Sequence, residues 1–481
     1  MKRLAALLAA LVVLVGFAAP AHAADATPRL HRQGRFLVDQ YGRVVIVHGL
    51  NIVWKRAPYA PPDTAAGFTA KDAAFFEKYG FNGARLGVLW AGVTPKQPGV
   101  ADPAYFQRLD RVTGLLAKSQ VWTLFDMHQD MWNEQYGGEG VPAYAAKRPL
   151  PFALTPYQKV PFPTGYWTPE VSQVFDDFWG NHDNLLTDWA GAWKLIAKHY
   201  RNQPWSMGYD LFNEPWAGKE WPTCLTTGCP SSYPAELQPA MTEALEAVRT
   251  QDPKNLVWWE PQQFAGGQKL DSYYTGVKGE KNLGFSFHNY CPDVFLASQG
   301  VPGSNTDNCN AFSQDRNTRA IDQANRMDAA ALMTEWGATD DVKAVGIDAA
   351  TADKNLMGWT YWAYKHWEDP TTADASQGLF TDDADLSTVK MDKLRELVRT
   401  YPQAVAGTPQ EYHYDPATGR FTFRYLPNCA VKAPTQVFVS PLTSPHGYDV
   451  RVTDATATKK GSIVLVRAAS SRPVSITITP R

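Results

Sequence analysis

The sequence is short of several things, and each shortage narrows what the chain can do. Charge of one sign is missing: 46 Lys and Arg stand against 48 Asp and Glu, a net charge of −2. Nothing in that balance pulls the chain toward nucleic acid or an anionic membrane. Cysteine is scarce, at five residues. None forms a Cys-x-x-Cys or sits beside a His pair, so a zinc site is a weak reading. Past the N-terminus no apolar run is long enough to cross a bilayer. Internal repeats and low-complexity linkers are also missing, which leaves one large globular domain or two. What is plentiful is aromatic: 17 Trp, 21 Tyr and 22 Phe in 481 residues. Most of these rings belong in cores, and some are available to stack on the C–H faces of sugars.

The N-terminus reads as a targeting segment. Lys2 and Arg3 precede an apolar run from Leu4 to Phe17, and Ala21-His22-Ala23 fits the small-x-small cleavage rule. Residues 1–23 are therefore expected to be a signal peptide, and the mature chain a secreted protein starting near Ala24. No Cys follows that point, which argues against a lipid anchor. In an oxidising compartment two local disulfides are expected, Cys224 with Cys229 and Cys291 with Cys309, leaving Cys429 free.

Along the chain, an opening hairpin is expected over Gly34 to His48, around a Tyr41-Gly42 turn. Eight short apolar runs then read as strands: Val44–Gly49, Gly83–Leu89, Val121–Asp126, Met207–Phe212, Leu256–Trp259, Gly284–His288, Ala331–Thr334 and Met357–Tyr361. Helix-like stretches alternate with them at Ala70–Lys78, Tyr105–Lys118, Leu185–Tyr200, Ala235–Arg249, Ala320–Ala330 and Met391–Arg399. This α/β alternation predicts a (β/α)8 TIM barrel over residues 28–402, with its site at the C-terminal strand ends. From about residue 405 to 481 the pattern becomes short alternating runs, Phe421–Tyr425, Gln436–Val439, Tyr448–Val452, Ser462–Arg467 and Val474–Thr479. These predict a small C-terminal β-sandwich. It could bind carbohydrate, but without a Trp to form a sugar platform a packing role is the better account.

The chemistry gathers at the predicted strand ends. Glu214 lies in Asn213-Glu214-Pro215 and Glu335 in Thr334-Glu335-Trp336-Gly337. Two carboxylates from distant strand ends are what glycosidic bond hydrolysis needs, one as proton donor and one at the sugar carbon. Asn213 can donate to a sugar 2-hydroxyl. Arg85 inside a barrel must be paired, and Glu335 is the expected partner. His128 and Asp130 follow the third strand and can bond sugar hydroxyls. A metal held by Asp126, His128 and Asp130 ranks lower, because no other strand end supplies a His-rich remainder of a cage. Tyr290 can orient Glu335. For His288 a satisfied barrel histidine and a catalytic duty fit equally. Trp362 is the natural floor for the sugar before the scissile bond. Glu260 could be an acid in another mechanism, although a structural hydrogen bond is expected of it.

The set Arg85, Asn213-Glu214-Pro215, His288-Asn289-Tyr290, Thr334-Glu335-Trp336-Gly337 and Trp362 resembles family 5 of the glycoside hydrolases. The resemblance covers roughly Pro28 to Pro402. It implies a retaining mechanism, with Glu214 as acid/base, Glu335 as nucleophile and their carboxyls about 5 Å apart. The motifs His48-Gly49-Leu50-Asn51-x-x-Trp54-Lys55 and His128-Gln129-Asp130 are similar to the endoglycoceramidase branch. There Lys55, His128 and Asp130 would hold the sugar next to the lipid. The substrate so implied is a glycosphingolipid, with release of intact glycan and ceramide, no cofactor and no metal. An endo-β-galactosidase on oligogalactosyl glycolipids, or an endo-β-glucanase or mannanase, stays open. The aromatic and Pro-rich segment Val141 to Trp167 is a candidate approach for the lipid, with Tyr144, Phe152, Leu154, Tyr157, Phe162, Tyr166 and Trp167. Packing on the barrel rim explains each of these rings equally well. Transient contact with a membrane or micelle, and a monomeric state, complete the expectations.

Overall fold

The structure, a computed structural model, describes residues 27–146, 159–262, 272–298, 300–371 and 375–481. Eight parallel strands close a barrel. They are β1 (His48–Ile52), β2 (Gly83–Gly87), β3 (Trp122–Asp126), β4 (Ser206–Asp210), β5 (Val257–Trp259), β6 (Leu283–Asn289), β7 (Ala330–Trp336) and β8 (Trp359–Tyr361). They follow sequence order around the ring, and β8 pairs with β1 through Thr360 and Gly49. Every residue of the eight strands is buried. That is why these runs read as largely apolar in sequence, since a barrel strand is covered by helices outside and packed side chains within.

The sandwich is woven differently from expectation. Its first sheet runs His31–Gln33, Phe36–Val38, Val44–Val45, Tyr401–Val405, Thr435–Phe438, Ile463–Ala468, Ala455–Lys460. Its second runs Gly407–Tyr414, Phe421–Pro427, Val474–Pro480, Tyr448–Thr453. The N-terminal strands thus lie in a sheet with C-terminal ones, and the sheet starts before the predicted boundary at 405. Val44–Val45, expected to begin the first barrel strand, instead pairs antiparallel with Val405 and Ala404. The uninterrupted apolar run Val44–Val47 hid this crossing, because both destinations bury it. Below the barrel, the His48 ring stacks on Tyr401 (3.6 Å between centroids) and on Trp359 (4.3 Å). Asp353 accepts from Arg399 at 2.7 Å and from Tyr412 at 2.7 Å, tying both sheets to the barrel's lower end.

Among the described residues, two helices longer than ten residues, Pro169–Trp179 and Val342–Asn355, lie outside the expected stretches, as do several short ones including Pro292–Ser298. The expected Ala320–Ala330 is the end of a longer helix, Cys309–Met327. The two helices at Cys309–Met327 and Val342–Asn355 bury polar residues on their inner faces, among them Ser313, Arg316, Asn317, Asp348 and Asp353. An apolar stripe is the signal that was missing. The disulfides form as expected, Cys224–Cys229 and Cys291–Cys309, and Cys429 is free and exposed.

Candidate active site

The upper ends of the strands converge on Arg85, which is wholly buried on β2. Its guanidinium donates to Glu335 Oε1 at 2.6 Å, Glu260 Oε1 at 2.7 Å, Asp126 Oδ1 at 2.8 Å and Asp210 Oδ2 at 3.0 Å. It also reaches Asn213 Oδ1 at 2.9 Å and Asn51 Oδ1 at 3.2 Å. Burial alone would discharge it, but the surrounding carboxylates outweigh that and hold its pKa well above normal. The expected Arg85–Glu335 pair is therefore present, as one spoke of a wheel.

Glu335 lies near the top of β7. Its second oxygen accepts from the Tyr290 hydroxyl at 2.9 Å. Burial and the charge of Glu335 push the Tyr290 phenol well up, so it stays a donor. Just past the strand, Gly337 has φ +88°, and a Cβ there would come within 2.2 Å of the Tyr361 ring. Only glycine fits this exit turn.

Glu214 follows β4 at a left-handed φ of +46°. Its Oε1 meets His288 Nδ1 at 2.8 Å, and its peptide N–H donates to Glu260 Oε2 at 2.8 Å. An oxygen of Glu214 and one of Glu335 lie within 4.8 Å of each other, with a His288 nitrogen as near to both. Burial raises the Glu214 pKa, the His288 bond and charge work against it, and Glu335 adds to the rise. His288 is not a neutral barrel histidine. Its Nε2 is 3.3 Å from Glu260, and the carboxylates around it overcome burial and keep it protonated. Glu260 itself is held at about 2: burial would raise it, but His288, Arg85 and the Glu214 N–H together prevail. It makes the structural hydrogen bond expected of it.

A second cationic centre sits beside the first. Lys55, past β1, reaches Asp130 at 2.6 Å, Asp369 at 2.9 Å, the Thr371 hydroxyl at 2.9 Å and Glu139 at 3.6 Å. Its ammonium is 4.7 Å from the Trp362 ring centre. His128 stacks on Trp362 at 5.2 Å and bonds Asp126 Oδ2 at 2.7 Å. Burial opposes its charge, but Asp126 and Asp130 raise its pKa to about 9. At Asp126, His128 and Asp130, the set weighed above for a metal, the carboxylates hold cationic groups of the protein itself, and both Asp126 oxygens are so engaged.

One cavity of about 970 Å3 joins these centres. Lys55, His128, Asp130, Asn213, Glu214, His288, Tyr290, Glu335 and Trp362 line it, while Arg85 supports it from behind. The Asn213 amide donates to the Gln129 carbonyl at 3.0 Å and keeps its second N–H. Elsewhere the walls are apolar: Pro161, Phe162, Tyr166, Trp167, Trp216 and Phe295. Of the segment proposed for lipid, Tyr166 is buried, Trp167 is 44% exposed, and Tyr144 packs inward against Trp90. Phe152, Leu154 and Tyr157 lie outside the described residues. Sequence reasoning missed Phe295, which is 65% exposed on the helix Pro292–Ser298. It also missed Glu139, Asp210, Asp369 and Thr371. A carboxylate-rich set of strand ends facing one Arg is the signal that could have flagged Asp210.

Residues 38–367 match the model of the cellulase family, glycosyl hydrolase family 5. The chain belongs to glycoside hydrolase family 5. Residues 399–479 match that family's C-terminal domain. Endoglycoceramidase I of Rhodococcus hoagii is 33% identical over 464 residues, 94% of this chain and 89% of the relative. An endoglycoceramidase of Hydra vulgaris is 28% identical over 86% of this chain and 80% of its own. Among solved structures, endo-glycoceramidase II from Rhodococcus sp. in complex with a five-membered iminocyclitol superposes with a TM-score of 0.76. It is 26% identical, covering 93% of this chain and 99% of that one. As a family 5 member the chain is a glycoside hydrolase on a TIM barrel.

Proposed function

We propose that this family 5 hydrolase is a retaining endoglycosidase that splits glycosphingolipids between the reducing-end sugar and ceramide. The observation that carries the reading is the two-natured cavity. Paired carboxylates and the Lys55 centre line it together with Phe162, Trp167, Trp216 and Phe295. A polysaccharide would have no use for the apolar lining, whereas a lipid leaving group would. The endoglycoceramidase relatives support the same reading.

In this mechanism Glu335 attacks the anomeric carbon. Hydrogen bonds from Arg85 and Tyr290 hold its two oxygens in place. Glu214, whose pKa burial raises, gives its proton to the ceramide oxygen. Once Glu335 is esterified its charge is gone, the Glu214 pKa falls, and Glu214 takes a proton from the resolving water. The oxygens within 4.8 Å suit direct attack rather than a water wedged between sugar and base. Lys55, Asp130 and His128 bond sugar hydroxyls, Asn213 the 2-hydroxyl, and Trp362 forms the platform. The exposed Phe295, Leu296 and Val301 around the helix Pro292–Ser298 would rest on the lipid surface that presents the substrate. Export of a monomer through the N-terminal leader is consistent with such a substrate.

The test is mass spectrometry of products after incubation with a ganglioside and with lactosylceramide in detergent. Intact oligosaccharide plus free ceramide is expected, with the new reducing end first appearing as the β anomer. Cleavage of β-glucan alone, or inversion, would overturn the proposal.

A further inference from the structure

Glu260 has no part in the two-carboxylate mechanism, yet it is buried at the end of β5 and touches three of the groups that do. The Asn213-Glu214-Pro215 turn carries a non-glycine residue in the left-handed region, a conformation that persists only where surrounding bonds over-determine it. Four such bonds are present. The Asn213 N–H donates to the Met127 carbonyl at 3.1 Å. The Gln129 amide donates to the Asn213 carbonyl at 2.9 Å and to the Glu214 carbonyl at 3.3 Å. The Glu214 N–H donates to Glu260 Oε2 at 2.8 Å. Of the two that act on Glu214 itself, the one to Glu260 is the shorter and the one made to a charged acceptor. The other Glu260 oxygen receives Arg85 at 2.7 Å and lies 3.3 Å from His288 Nε2. The far side of that imidazole bonds the Glu214 carboxyl at 2.8 Å. A ring of contacts results: a hydrogen bond from the Glu214 backbone to Glu260, an ion pair from Glu260 to His288, and a hydrogen bond from His288 back to the Glu214 side chain.

We propose that Glu260 is a positioning residue for proton donation, fixing both the backbone and, through His288, the carboxyl of Glu214. The inference rests on Glu214 being the acid/base. Both Glu260 oxygens must be acceptors for this duty. A glutamine offers one acceptor and one amide, so it would turn a donor either toward Arg85 and His288 or toward the Glu214 N–H. Glu260→Gln therefore keeps the volume and removes one side of the ring.

The experiment compares two leaving groups on the full chain. Ceramide leaves poorly and needs a placed acid, whereas dinitrophenolate leaves without one. For Glu260→Gln, kcat/KM on lactosylceramide should fall on the order of a hundredfold. On dinitrophenyl lactoside it should fall at least about tenfold less, because the acid contributes little to that reaction. A 2-deoxy-2-fluoro dinitrophenyl lactoside, which needs the nucleophile and not the acid, counts the folded sites and normalises both rates. Equal losses on the two substrates, or loss of labelling, would overturn the proposal and make Glu260 a general support of the Arg85 wheel. Glu214→Gln is measured alongside. If it too shows no preference between leaving groups, the acid assignment fails on its own account, whatever Glu260 does.

Discussion

The Arg85 and Lys55 centres are built alike and supported differently. Each is a buried cation ringed by carboxylates; Lys55 lines the cavity, and Arg85 stands behind it and holds its lining residue Glu335. The carboxylates on Arg85 stand on or immediately after strands β3, β4, β5 and β7, so the hydrogen-bonded barrel fixes their spacing. Those on Lys55 come from excursions beyond the strands: Asp130 and Glu139 after β3, Asp369 after β8. The barrel fixes the paired carboxylates rigidly, while loops hold the group around Lys55. Chemistry and selectivity can therefore change separately, which is how one barrel serves many substrates.

The comparison breaks most severely at the nucleophile. Glu335→Gln should lower kcat on the order of 10^4-fold or more, on lactosylceramide and on dinitrophenyl lactoside alike, since both need attack at carbon. Retained activity on either would remove Glu335 from its role. A split confined to leaving group comes next: Glu214→Gln should cost about 10^2- to 10^4-fold on the glycolipid, with added azide restoring turnover of the aryl glycoside.

The Lys55 centre should respond more gently. Lys55→Met removes a charged donor worth about 1.5–3 kcal/mol, or roughly ten- to a hundredfold in kcat/KM. The loss should be alike on the glycolipid and on a single-sugar aryl glycoside, because Lys55 grips the sugar next to the leaving group. A loss confined to one leaving group would mean that the two centres are not separable. Protonation offers a finer probe. Because Glu335 adds to the rise in the Glu214 pKa, the alkaline limb of kcat/KM should move to lower pH when Glu335 carries no charge. A carbon-13 titration of Glu214 in the Glu335→Gln protein would read this, and an unchanged pKa would refute the coupling.

The smallest effect is on stability. Burial raises Asp348 from 3.8 to about 7, where it accepts from Asn289 on β6 at 2.9 Å. A carboxyl protonated in the fold stabilises it fully below pH 3.8, and that contribution is lost as the pH rises from there to about 7. Asp348→Asn should flatten this decline, seen as a smaller drop in melting temperature between pH 4.5 and 7.5, of a few degrees on the order expected for 1 kcal/mol. An identical slope in both proteins would count against the assignment.

The same division explains what could be read from the sequence. The barrel strands are short, wholly buried and mostly apolar, so seven of the eight stood out and brought Arg85, Glu214 and Glu335 to one end, while the first, expected at Val44–Gly49, lies at His48–Ile52. The Lys55 centre was legible only in part. Lys55, His128 and Asp130 lie in recognisable motifs, but Asp369 and Glu139 reach it through loops whose paths no periodicity encodes. The helix Val342–Asn355 went unseen because its inner face is made of alanine, Asp348 and Asp353 rather than large apolar residues. Phe295 was passed over because a seven-residue helix has no period to detect.

The sheet that mixes N-terminal and C-terminal strands has a consequence for the order in which the molecule can be made. Val44 and Val45 are among the earliest described residues to leave a ribosome, and their neighbours Ala404 and Val405 follow some 360 positions later. Until then the opening hairpin carries an open edge, able to pair with whatever strand arrives first. The barrel meanwhile can close without it. Cutting the chain after the barrel would not yield a tidy catalytic fragment, because it would leave that edge permanently bare. The two ends work as a clasp fastened last, and a truncated form should clump before it loses its catalytic groups.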